Sequence, residues 1–203
     1  VEEISPEAYY DALFILNDAP KSVLPISVIE MHLFSYLGCM LALFRGKPIG
    51  DWGYSYAITS EGFPFSAQFE EARKNLISNS LVNSDENGLL EPRQPELGTE
   101  LQTVLTLGSW GNRRPWLRAA TECALAYPVG SIRYAIGRTP GVASSIRLGQ
   151  RRTLLDVDDI NLLYDEYQIV RSVLGTNAQD HLSPAVVWLS ARILQKEDAQ
   201  IGI

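Results

Sequence analysis

The chain has 203 residues, 46% of them apolar and 20% charged, with a formal net charge of −7. That balance excludes a disordered chain, and the length suits one large domain or two small ones with a sizeable core. Cys39 and Cys123 stand far apart in apolar surroundings, a spacing that matches no metal or redox motif and fits buried thiols in a cytosolic protein.

The first element is announced by Ser5-Pro6-Glu7: a serine cap, a proline for the first turn and an acid for the positive end of the dipole. This helix carries Tyr9, Leu13 and Leu16 and stops near Asn17–Pro20. A second helix is expected from about Pro25 to Arg45, ended by Gly46-Lys47-Pro48. Its apolar run, residues 26–44, is about long enough to cross a bilayer. Glu30 and His32 lie inside that run, however, and charge at such depth is costly, so a central helix apolar nearly all round is the better reading. No basic stretch followed by an apolar segment and cleavage site opens the chain, so no signal peptide is expected.

Trp52, Tyr54 and Tyr56 alternate with small residues, as in a half-buried strand or an aromatic patch, with packing the expected role. Ser66 caps a helix with apolar periodicity through Phe69, Ala72, Leu76 and Ile77. A hairpin is expected near 81–90, because Asn87-Gly88 lies between Leu81-Val82 and Leu89-Leu90. Helices follow at about 96–107, 115–127 and 131–137, with Asn112 as a cap for the middle one. Thr139-Pro140-Gly141 reads as a turn, and the stretch from Val142 to Thr153 is left unassigned. Asp156–Leu174, ended by Gly175, and a last helix from Ser183-Pro184 complete a chain that is mainly α with a small β-hairpin. Two regions are expected: residues 1–92 with the hairpin, and a helical region 93–203.

Eight of the seventeen basic residues fall between 113 and 152, and all are arginine: Arg113, Arg114, Arg118, Arg133, Arg138, Arg147, Arg151 and Arg152. Only Glu122 opposes them there, so the formal charge runs −9 over residues 1–112, +7 over 113–152 and −5 over 153–203. Arginine pairs two-point with carboxylate or phosphate and stays charged, so this belt is a candidate for partner or nucleic-acid binding. Internal pairing with the acidic flanks, such as the Asp156–Asp159 group, stands equally open. Among external partners an acidic protein surface is favoured over nucleic acid, because the chain is acidic overall. Replacing Arg113, Arg114 and Arg118 with Glu is expected to abolish partner binding and leave the fold intact.

Other candidates for chemistry have plainer explanations. Asp156-Val157-Asp158-Asp159 lacks the glycine and later glutamate of a calcium loop and reads as a helix cap. His32 and His181 have no neighbouring Cys or His, which speaks against zinc. The glycines at 46, 50, 53, 108 and 111 match no nucleotide-binding loop. No metal, no cofactor and no catalytic constellation are expected.

The run from Phe65 to Val82, with its Asp85–Gly88 turn, resembles the second and third elements of winged-helix domains over roughly residues 25–92. In that family the helix before the hairpin often enters the DNA major groove and the hairpin is the wing; other members only dock proteins. Here Glu70 and Glu71 balance Arg73 and Lys74, and Asp85 and Glu86 place the wrong sign on the wing. In architecture and size the chain also resembles the accessory "middle component" subunits of bacterial three-component ABC-ATPase defence systems. There the subunit joins an SMC-like ATPase to an effector. The resemblance implies a cytoplasmic, non-catalytic adaptor, not an enzyme, bound to larger protein subunits without membrane attachment. The alternative is a winged-helix DNA-binding regulator that grips phosphates through the arginine belt.

Overall fold

The computed structural model describes residues 4–149, 151–175 and 180–201, with side chains up to residue 194. Helix α1, Pro6–Asp18, begins where the Ser5 hydroxyl accepts the Ala8 N–H at 3.2 Å. Helix α2, Val28–Phe44, begins with a capping box: Ser27 accepts the Glu30 N–H while the Glu30 carboxylate accepts the Ser27 N–H at 2.7 Å. That box uses Glu30 at the helix entry. His32 is buried, with Nδ1 accepting the Ser66 N–H at 3.3 Å. Every side chain of α2 from Met31 to Phe44 is buried, which makes it the axis of the molecule. Among the described residues no helix is long and apolar enough to cross a membrane.

After α2, side chains from Trp52 to Ile58 alternate buried and exposed, the pattern of a strand covered on one face. Its end is β1, Ala57–Ile58, paired antiparallel with β2, Pro64–Phe65. A distant segment joins the opposite edge of β1: the Ile58 N–H donates to the Arg152 carbonyl at 3.2 Å and the Leu154 N–H to the Tyr56 carbonyl at 2.8 Å. Helix α3, Ala67–Ser78, is capped by Ser66, and the hairpin follows as β3, Val82–Ser84, and β4, Leu90–Pro92. The Asp85 carboxylate accepts the Asn87 and Leu89 N–H groups, and Gly88 takes the left-handed conformation of the turn.

Ile26, just before α2, bridges antiparallel to Leu90, each N–H meeting the other's carbonyl at 3.0 and 2.8 Å. The order is helix, bridging residue, helix, helix, strand, strand, with the first extended position on the last strand, as the winged-helix resemblance of the sequence implied. The β1–β2 hairpin lies between α2 and α3.

The remaining helices are α4, Glu96–Leu105; α5, Arg114–Ala126; α6, Val129–Gly137; α7, Pro140–Leu148; α8, Val157–Leu174; and α9, Leu182–Ile201. Two expectations change. Asn112 does not cap α5, which starts at Arg113 without a side-chain cap. Thr139-Pro140-Gly141 is not a free turn but the first turn of α7, with proline at its tolerated position. Helix α5 packs against α2, α1 and α9. Gly38 allows the close approach, since a Cβ there would stand 2.8 Å from Leu117 Cδ2. One cluster of buried apolar residues therefore runs from Ala8 to Leu189, unbroken across residue 92.

Candidate docking interface

The eight arginines divide into two groups. Arg113, at the start of α5, reaches back to α1 and grips Asp11 two-point, Nε to Oδ1 at 2.7 Å and Nη2 to Oδ2 at 2.6 Å. Arg114 grips Asp18 the same way at 2.5 and 2.7 Å. Arg118 pairs with Glu122 one helical turn on, at 2.8 Å and largely in solvent. Arg152 bonds Asp156 and Asp159, the first turn of α8, and its Nε donates to Ser145 of α7 at 3.0 Å. Arg113, Arg114 and Arg152 thus join the belt to both acidic flanks, while Arg118 pairs within it.

The other four have no carboxylate partner among the described residues. Arg133 and Arg138 lie on α6 and at its C-terminal cap, Arg147 on α7, and Arg151 in the strand-like link to α8. No Asp or Glu occurs between Glu122 and Asp156, so nothing local can neutralise them. All four are exposed.

Arg113 has a different setting. It is only 7% exposed and lies 3.9 Å above the Trp52 ring. Tyr54 donates to Asp11 Oδ2 at 2.6 Å, and because each hydroxyl has a single proton, this fixes the direction of a chain of donors. Ser35 donates to Tyr54 (2.7 Å), Tyr56 to Ser35 (2.6 Å), and Trp52 Nε1–H to Tyr56 (3.0 Å). The members satisfy one another, and all are buried. Burial drives the Asp11 carboxyl upward while Arg113 and Tyr54 pull it down; the Arg113 guanidinium is raised, held charged by Asp11 despite burial. The sequence reading missed Asp11. Its signal was a lone acid in the apolar run Tyr10–Leu16, which requires a buried cation. Replacing Arg113 with Glu would thus break the fold itself.

The thiols are poor nucleophiles: burial pushes Cys39 well up and Cys123 to about 12. His181 is half-buried, accepting from Arg45 Nε at 3.3 Å and lying edge-on to Trp116. Among the described residues, no three metal-ligating side chains converge. Asp156 is a helix cap, accepting the Asp159 N–H at 2.9 Å.

Apolar side chains accompany the unpaired arginines. On α8, Leu163, Tyr167 and Val170 face inward, while Leu162, Ile169 and Val173 are 51%, 65% and 69% exposed. Spacings of seven and four put these three on one face. Ile146 and Leu148 of α7 are exposed beside Arg147. A groove of about 350 Å³ runs between α8 and α9, with Arg138 and Pro140 on one side and Ile169 and Trp188 on the other. Its wall is held by Arg192, bonded to Glu166 and to the Arg138 carbonyl.

The winged-helix surface has the opposite character. On α3, Arg73 is held two-point by Glu70 at 2.8 and 2.6 Å, and Lys74 by Glu71 at 2.6 Å. The wing presents Asp85, Glu86 and Glu91 to solvent. On α3 itself a polyanion thus meets cations already held by carboxylates. Neither protein-family models, nor curated proteins, nor solved structures gave a significant match to the chain.

Proposed function

We propose that this chain is a non-catalytic accessory subunit that docks onto larger proteins through the outer face of α6, α7 and α8. The observation that carries the reading is the coincidence on consecutive elements of four arginines lacking carboxylates with five exposed apolar side chains. Scattered exposed apolar residues are ordinary, but a helix face of them beside arginine fits an interface with an apolar centre and a charged rim. The setting we favour is a bacterial nucleoprotein or anti-phage defence complex, cytoplasmic and built around an SMC-like ATPase. The winged-helix-like order of α1 to β4 supports that assignment, as does an α3 whose two cations are already paired with its own glutamates.

Affinity purification from the native host, split into nuclease-treated and untreated halves, tests the proposal. Mass spectrometry and the ratio of absorbance at 260 and 280 nm read each half. A protein retained in both halves, and lost from the double variant Ile169→Asp/Val173→Asp, is the expected result. Nucleic acid co-eluting alone and released by nuclease would instead support a regulator that binds DNA through the arginines.

A further inference from the structure

Two of the unpaired arginines converge on one groove. It has a volume of about 480 Å³ and follows the β1–β2 hairpin, with Ile58, Phe63 and Phe65 as its apolar lining and with Arg151 and Glu61 also lining it. Arg133 approaches from α6: its guanidinium carbon lies 5.7 Å from the centre of the Phe63 ring, and Nη2 donates to the Glu61 carbonyl at 3.4 Å. Ile146 of α7 abuts the hairpin turn, where a Cβ on Gly62 would stand 3.1 Å from Ile146 Cδ1. Arg151 thus lines the apolar slot, and Arg133 stands against its Phe63 and Glu61.

We propose that this groove receives a short segment of the protein partner, one large apolar side chain flanked by carboxylates. The inference rests on the docking role argued above and names the chemistry of the segment that enters. A phenylalanine-sized side chain fits an aromatic and aliphatic slot, while carboxylates pair two-point with guanidinium forks. The Phe63 face helps hold Arg133 in place before binding, which lowers the ordering cost. Nucleic acid is disfavoured because the slot is mostly apolar and sets a single lining arginine beside Glu61, whereas a phosphate chain needs a run of cations.

The test uses the full chain labelled with ¹⁵N and titrated with three capped peptides: Glu-Glu-Phe-Glu-Glu, Gln-Gln-Phe-Gln-Gln and Glu-Glu-Ala-Glu-Glu. Only the first is expected to shift amide signals, those of residues 57–65, 133 and 146–151. Affinity should fall at least tenfold in Arg133→Gln/Arg151→Gln, whose exposed sites leave the far-ultraviolet spectrum unchanged. Shifts confined to α3 or β3–β4, equal binding by all three peptides, or no effect of the double variant would overturn the proposal. So would a 16-base-pair DNA duplex that moves the same signals while the peptides do not. The double variant is also passed through the host purification. If it retains a partner that wild type captures, only the groove is overturned; if wild type captures none, the docking role itself fails.

Discussion

Asp11 and Arg113 are 102 residues apart in sequence and 2.6 Å apart in space. Their contact fixes the entry of α5 against α1. Breaking a buried pair on one side leaves the other charge uncompensated, so Arg113→Ala should lower unfolding free energy by about 3–5 kcal/mol in urea titrations. Arg151→Ala, at an exposed site without a carboxylate, should stay within about 0.5 kcal/mol of wild type. His32 gives a second test at this scale. Burial holds its imidazole below the ordinary 6.5, so the unfolded chain takes up a proton there that the folded chain refuses. Stability should therefore fall as pH drops below about 6.5, by at most about 1.4 kcal/mol per pH unit. Burial alone would raise Glu70, but Arg73 and His32 hold it down at about 2; its contribution, full above the usual carboxylate range, is lost as pH falls from there towards about 2. His32→Gln keeps an acceptor for Ser66 and should flatten the upper limb of the curve, while the lower limb shrinks less because Arg73 still holds Glu70 down. The arginines were conspicuous in the sequence, but the destinations of Arg113 and Arg114 were not, since each partner lies about a hundred residues upstream and no local spacing encodes it.

Three helix starts were legible from a local cap, whereas the local Ser27–Glu30 capping box of α2 went unread and that helix was expected from about Pro25. Ser5, Ser66 and Asp156 each accept an N–H three residues on, and the Asn87-Gly88 turn announced β3–β4. The α7 start was not legible, because proline and glycine after threonine signal a turn and the first turn of a helix alike. Tertiary contact decides between them. A Cβ on Gly141 would stand 2.2 Å from Asp159 Oδ2, and Asp159 is fixed by Arg152 and by the Leu155 N–H at 3.1 Å. Gly141→Ala should cost about 1–3 kcal/mol by displacing α7 from α8. Gly130→Ala, in α6 with open space around it, should be neutral or raise stability by up to about 1 kcal/mol. Thermal unfolding of the two variants side by side checks both. The alternation of Trp52, Tyr54 and Tyr56 left a half-buried strand or an aromatic patch open, and the pairing partners of the stretch, β2 and the 152–154 segment, came only with the fold.

Across the whole molecule, residues 1–92 and 93–203 share one core, since α5 covers α1 and α2. Unfolding should be a single cooperative transition, and a fragment ending at residue 92, which exposes the covered faces of α1 and α2, should show none by circular dichroism. The charge segregation visible along the sequence resolves into two uses. Part of the belt binds the acidic flanks into the fold, and the rest stands unpaired beside an apolar face. Sequence order could show the excess but not its division, which depends on the carboxylates within reach in three dimensions.

The most direct test of the docking account is hydrogen–deuterium exchange on the chain alone and within the complex purified from its host. Slower exchange in α6, α7 and α8, with α3 and the β3–β4 hairpin unchanged, is the result this account predicts. Protection of α3 and the hairpin, with α6–α8 unchanged, would contradict it and place the partner on the winged-helix face.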